Sequence, residues 1–204
     1  MTIHLIVHKE ENTVFVFVEA EPEDDNDEIE GRDVPQLNRS EVARIATFNI
    51  KVFGKTKMGK PEVVSQLVDT VLQYDLVAVQ EIKDIDQTVP YDFLDELNNV
   101  SGNTWNMSLS PRSGMQEDDQ SSQEQYVYYF NTSVFREIGQ GFLYNDTAND
   151  YFQREPYIAS FELLNESGNS SGFDFTLFTI HTKPALAMEE INSLHDVVES
   201  YREN

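Results

Sequence analysis

RIATFNIKVFGKTKMGKPEVVSQLVDTVLQYDLVAVQEIK, residues 44–83, reads as strand, loop, helix and strand in succession. The first strand covers Arg44 to Ile50. A loop carrying Gly54 and Gly59 leads to Pro61, and proline suits the first turn of a helix because its missing N–H would be unpaired there in any case. Val63, Val64, Leu67, Val68, Val71 and Leu72 then recur at the 3.6-residue period and make one apolar stripe, which needs a sheet to cover it. Leu76-Val77-Ala78-Val79 is too short for a helix and rich in β-branched side chains, so it predicts a strand covered on both faces. The whole is a βαβ unit with parallel strands. In such units the polar residues at the carboxyl ends of the strands face the ligand crevice. Asn49 and Glu81 stand at those two ends.

Downstream, Tyr91 to Val100 predicts a helix that buries Phe93, Leu94 and Leu97, and Trp105 to Leu109 a strand. Pro111 to Ser122 is a polar loop, and Tyr126 to Phe130 is a strand beginning just after Glu124. Gly139 to Asp150 reads as an irregular, mobile segment. Tyr157 to Leu164 and Phe173 to Ile180 make an antiparallel pair across a turn at residues 165–172. Residues 185–202 form a last helix with Ile191, Leu194 and Val198 inward. Upstream, residues 2–8 and 13–18 predict a hairpin, which is marginal alone and needs the main sheet or another partner. Residues 19–30, EAEPEDDNDEIE, hold eight acids in twelve positions and predict an extended, disordered linker. The DDNDEIE run lacks the glycine and the spaced glutamate of a calcium loop. The expected organisation is a hairpin extension at 1–18, an acidic linker at 19–42 and one domain at 43–204.

Lys and Arg number 14 against 37 Asp and Glu, for a net charge of −23. A chain that grips phosphates does so with cations, so this balance argues against broad electrostatic binding of nucleic acid. It suits a solvated surface adapted to high salt. The excess is general, since residues 43–204 alone hold 25 acids and 11 bases. Four of those bases, Lys51, Lys55, Lys57 and Lys60, crowd the loop after Asn49, where they suit either a phosphate-facing mouth or an ordinary solvated loop. No apolar run approaches the roughly 18 residues of a membrane helix, which predicts a soluble protein without membrane partners. The first residues lack the pattern of a signal peptide. Seven Asn-X-Ser/Thr sequons, at Asn38, Asn99, Asn106, Asn131, Asn145, Asn165 and Asn169, point weakly the other way, toward export. Secretion and a cytoplasmic location both stay open. The chain has no cysteine, so neither a disulfide framework nor a thiolate site exists.

The words ATFNIKVFGKTKM, YDLVAVQEIKD, SSQEQYVYYF, FQREPYIASF and FTIHTKPALAMEEINSL, in that order, resemble the motifs of the deoxyribonuclease I family within the endonuclease/exonuclease/phosphatase superfamily. The resemblance covers about residues 43–204. It implies an α/β fold, a deoxyribonuclease I-like four-layer α/β sandwich, and a metal-dependent endonuclease acting on DNA, with Mg²⁺ the expected ion and Ca²⁺ open as a structural one. It assigns Glu81 to the metal, with Asn49 holding a phosphate oxygen or the metal's water. His181 becomes the proton carrier, Glu124 its carboxylate partner, and Arg154 the phosphate contact, with Glu155 orienting Arg154 or its loop. Lys51 and Lys83 are the further candidates for substrate phosphate.

The physical chemistry is consistent with these roles. A hard cation takes oxygen ligands, one or two of them carboxylates. Imidazole passes protons near neutral pH. His4, His8 and His195 fall outside every motif. Departures from the family pattern are also visible. Ser122 stands where the family has a groove-reading tyrosine and Lys83 where it has a basic residue, while the absence of cysteine separates the chain from disulfide-bearing animal members and points to a microbial relative. The family's GDFN-like and SDH-like words do not occur before Asn204. The expectation is therefore a sandwich with its C-terminal part missing, inactive or nearly so as the 204-residue chain. A phospholipid or inositol-phosphate phosphodiesterase and a non-catalytic binding module are the alternatives.

Overall fold

The computed structural model describes residues 13–15, 43–114 and 121–202. The expected acidic linker and most of the expected hairpin lie outside these residues. From the hairpin, only β1 (Thr13–Phe15) is described, and it pairs in parallel with a strand of the main domain. Next come β2 (Ile45–Phe53), a single helical turn α1 (Lys55–Met58) where a loop is expected, and α2 (Pro61–Val71). β3 (Leu76–Ile82), α3 (Val89–Ser101), β4 (Trp105–Leu109), β5 (Gln125–Asn131) and β6 (Phe135–Leu143) follow. β7 (Tyr157–Leu164), β8 (Ser170–Thr179) and α4 (Ala187–Arg202) complete the series.

Among the described residues two four-stranded sheets form, in the orders β2-β3-β5-β4 and β1-β8-β7-β6. β2 and β3 are parallel, as the βαβ reading requires, and β5 runs antiparallel to β3. From Leu76 to Val79, β3 alternates between the two faces of its sheet. Val77 and Val79 join the core under α2 and α3, with Val64, Leu67, Val68, Phe93 and Leu97. Leu76 and Ala78 face the other sheet, where Tyr126, Tyr128 and Phe130 of β5 meet Phe135, Tyr157, Phe161, Phe175 and Leu177. On the outer face of that second sheet, Ile158, Phe178 and Ile180 pack against Leu194, Val197 and Val198 of α4. Helices, sheet, sheet, helix: the molecule is the expected α/β four-layer sandwich. Among the described residues no helix is long and apolar enough to cross a membrane.

Three details differ from the sequence expectations. Residues 139–143 belong to β6 instead of an irregular segment. Gly139 (φ +73°) sits in a register shift between Ile138 and Phe142, so the glycines there mark a bulged strand and not a loop. In α4 the buried stripe starts at Glu190, fully inside, while Ile191 is only half-buried. Leu94 is likewise half-buried, whereas Val89 and Pro90 are covered in the first turn of α3. That turn is capped from outside the helix. The Asp84 carboxylate accepts the N–H groups of Thr88 (2.7 Å) and Val89 (3.0 Å). Burial pushes the Asp84 carboxyl up, but these backbone donors outweigh it and hold it below its ordinary value.

The sheets are also joined by a polar contact. Ser108 of β4 bonds Tyr157 of β7 (2.8 Å) and donates to Glu137 of β6. This is possible because Gly141 brings bare backbone against them. A Cβ there would lie 2.3 Å from the Tyr157 hydroxyl and 2.8 Å from the Ser108 oxygen. Tyr157 cannot retreat, being buried and stacked on Tyr128. Gly141→Ala is therefore expected to lower the unfolding free energy by about 1–3 kcal/mol, the usual cost of overpacking, measured by urea denaturation.

Candidate active site

Parallel and antiparallel neighbours bring five chain segments to one end of the sandwich. β2 and β3 end there, β5 begins there, β8 ends there, and the residues just before β7 lie alongside. The cleft between them has a volume of about 420 Å³ and is lined by Glu81, Lys83, Ser122, Glu124, Arg154, His181 and Lys183 among others.

Glu81 owes its direction to a bulge. In β3 the helix-facing positions are Val77 and Val79, then Ile82, so the alternation slips by one. The register against β5 shifts between Val79 and Ile82, and Glu81 itself has φ +61°. Without the slip its carboxylate would point under the helices. β2 slips in the same place, between Asn49 and Phe53, with Val52 at φ +53°, a conformation a β-branched residue rarely adopts. The two bulges hold each other. Val52 N–H donates to Glu81 Oε2 (2.9 Å) and Asn49 Nδ2 donates to Glu81 Oε1 (3.0 Å).

Glu124, immediately before β5, is 1% exposed and meets two cations and an imidazole. Lys83 Nζ lies 3.1 Å from Oε1, Arg154 Nη2 3.1 Å from Oε1, and His181 Nδ1 2.7 Å from Oε2. Burial pushes the carboxyl up, but the hydrogen bond and charge of His181, then Arg154 and Lys83, outweigh it and hold it below the ordinary glutamate value. His181 is fixed at its backbone too, where its N–H donates to the Tyr126 hydroxyl (2.9 Å). Its Nε2 faces the cleft, 3.5 Å from Glu81 Oε1. Arg154 also donates to the His181 carbonyl (3.4 Å).

The structure thus brings together Asn49, Glu81, Lys83, Glu124, Arg154 and His181. It does not bring in Lys51, which is exposed on β2 and whose carbonyl accepts from Lys57 Nζ. Lys55 is paired with Asp86, so that part of the basic loop makes bonds within the chain. Glu155 fastens its own loop: its carboxylate accepts from the Ser113 hydroxyl, which in turn accepts the Glu155 N–H (3.0 Å). Sequence reasoning missed Tyr126, Ser113, Lys183 and Glu190. Tyr126 looks like any strand aromatic, and nothing in its neighbours signals that its hydroxyl reaches the histidine. Glu190 had a signal, an acid at i−4 from Leu194 in the apolar stripe.

A divalent cation fits the oxygen groups beside the bulges. Asn49 Oδ1 is buried without a partner next to the Glu81 carboxylate, an amide oxygen and a carboxylate that together suit a hard ion. Among the described residues no three His, Asp or Glu side chains gather as a ready metal cage. An ion held here by one carboxylate would keep much of its water, as Mg²⁺ does.

No family model matches the chain. Among curated proteins it is similar to deoxyribonuclease-1 of Bos taurus, 33% identical over 158 residues that make up 76% of this chain and 53% of that protein. The deoxyribonuclease-1 of Homo sapiens is 32% identical and that of Gallus gallus 31%, with the same coverage of both chains. The chain belongs with the deoxyribonuclease I-like proteins. It spans about half the length of these curated relatives. A solved endonuclease/exonuclease/phosphatase family protein from Leptotrichia buccalis is 15% identical, with a TM-score of 0.49 over 76% of this chain and 61% of that one.

In this deoxyribonuclease I-like chain, Glu124→Gln leaves Lys83 and Arg154 facing a neutral amide. The expected loss at pH 7 is about 3 kcal/mol, the lower end for a broken buried pair, because both cations keep some contact with water. The sign with pH follows from the depressed carboxyl. Its contribution is present above the ordinary value of 4.5 and is lost as pH falls through the lower folded value. The wild-type advantage over Glu124→Gln should therefore shrink below about pH 4.5, as measured by urea midpoints. A residual acid sensitivity from Asp84 should persist in both proteins.

Proposed function

We propose that this chain carries the metal-binding, phosphate-binding and proton-transfer groups of a metal-dependent phosphodiesterase whose substrate is DNA. The observation that supports it most is the convergence of Glu81, His181 and Arg154 on one cleft through the shared partner Glu124. The name of the similar curated proteins, deoxyribonuclease-1, supports DNA over other phosphodiesters.

Hydrolysis adds water across a P–O bond. Water oxygen bonds to phosphorus, the ester oxygen departs, one proton leaves the water and one reaches the departing oxygen. A bound divalent ion supplies charge neutralisation at a phosphate oxygen. Asn49 and Glu81 offer it oxygen ligands. Arg154, held by Glu124 through Nη2, presents its planar cation to a second phosphate oxygen. His181 Nε2 carries one of the two protons, because Nδ1 is occupied by Glu124 and only Nε2 faces the cleft. Lys83 and Lys183 on the cleft wall concentrate positive charge where the chain as a whole is acidic. The protein should therefore grip DNA locally at the scissile phosphate, with little help from the rest of its surface.

Plasmid nicking in Mg²⁺, across salt concentrations, tests this. The full product of the gene is expected to convert supercoiled to nicked DNA, and Glu81→Ala to reduce the rate at least about 100-fold. Absence of nicking by the full gene product at every salt concentration would contradict the proposal and favour a non-catalytic binding module.

A further inference from the structure

Glu190 is a buried carboxylate beside the site that the proposed reaction leaves unused. It lies in the first turn of α4 and is 0% exposed. Its Oε1 accepts the Lys183 N–H at 3.3 Å, and the Gln153 N–H also bonds the carboxylate. It therefore ties together the residue next to Arg154 and the turn that follows His181. Its other oxygen, Oε2, is buried without a partner. Arg154 has the complementary vacancy. Its Nη2 is bound to Glu124 and its Nη1 to the His181 carbonyl, while its Nε–H is buried without a partner. A buried acceptor and a buried donor, each unmatched, sit on two groups close enough to feel each other's charge. Each left alone costs free energy, so a bond between them, direct or through one water, relieves both.

We propose that Glu190 is the second carboxylate partner of Arg154, joined through Nε, and that it is a positioning residue fixing the guanidinium between two buried carboxylates. Glu124 holds the guanidinium from the β5 side and Glu190 from the α4 side. The planar group is thereby locked at both ends of its fork, and the angle it presents to a phosphate no longer depends on side-chain rotamer freedom. Burial pushes the Glu190 carboxyl up, against the pull of the Lys183 and Gln153 N–H groups and of the Arg154 and His181 charges. This role deepens the proposed reading of Arg154 as the phosphate contact, yet the Nε bond can be tested without it.

The test is proton–nitrogen NMR of the arginine Nε–H signals in the 204-residue chain, with Arg154 assigned by the loss of its signal in Arg154→Lys. In the wild type the Arg154 Nε–H is expected to exchange slowly with water. Glu190→Ala should speed that exchange at least 10-fold, while Glu190→Gln, which keeps the shape and one acceptor oxygen, should speed it less and guards against misfolding of the alanine variant. Unchanged Arg154 Nε–H exchange in both folded variants would overturn the proposal. A parallel titration with inorganic phosphate separates the two ideas. Phosphate should shift the wild-type Arg154 signal, with binding weakened about 10-fold in Glu190→Gln. If phosphate leaves the wild-type signal unmoved while Glu190 variants still change its exchange, positioning by Glu190 stands and Arg154 as the phosphate contact falls.

Discussion

Glu124 is a carboxylate taken almost wholly out of water, and a buried charge persists only where donors and opposite charges meet it. Lys83 comes from just beyond β3, Arg154 from the segment before β7 and His181 from just beyond β8, and Glu124 itself immediately precedes β5. The two sheets of the sandwich are therefore tied at one end through a single ionised group. Remove its charge and two cations, Lys83 and Arg154, are left crowded beside the imidazole in a half-buried cleft. The same constraint sets the chemistry, because the oxygen that fixes Nδ1 of His181 decides that Nε2 faces outward.

The paired bulges of β2 and β3 do the complementary work on the other wall. Regular alternation would send Glu81 beneath α2 and α3 with Val77 and Val79. A one-residue slip, with positive φ at Glu81 and Val52, turns it into the cleft and ties its carboxylate to the neighbouring strand. Strained backbone of this kind persists only where surrounding structure holds it. Here Ile82 and Phe53, both fully buried, anchor the strands on the far side of the bulges.

The βαβ unit was legible because its signals are local: a proline at a helix start, a stripe at helical spacing, a short β-branched run. Asn49 and Glu81 followed from strand polarity, and Glu124, Arg154 and His181 from motif resemblance. What stayed hidden depends on contacts between segments far apart in the chain. The Tyr126 hydroxyl meets the His181 N–H across 55 residues, and Ser113 meets Glu155 across 42. Gly139 and Gly141 suggested a loop because glycine breaks strands. Their actual cause, a bulge and a close approach to Tyr157, exists only once β7 is in place. Lys51 shows the converse. It is adjacent in sequence to the site, yet its own side chain stays on the exposed part of β2, while distant Lys83 reaches Glu124.

A two-bond proton–nitrogen correlation spectrum of the His181 ring, recorded in wild type and in Glu124→Gln, most directly tests Glu124 as the organising group. An ionised Glu124 can only accept, so neutral His181 must carry its proton on Nδ1 and leave Nε2 bare toward the cleft. The expected result is that tautomer in the wild type, giving way to a mixture or to the Nε2–H form in Glu124→Gln. A wild-type ring with its proton on Nε2, unchanged by the substitution, would contradict the role assigned to Glu124.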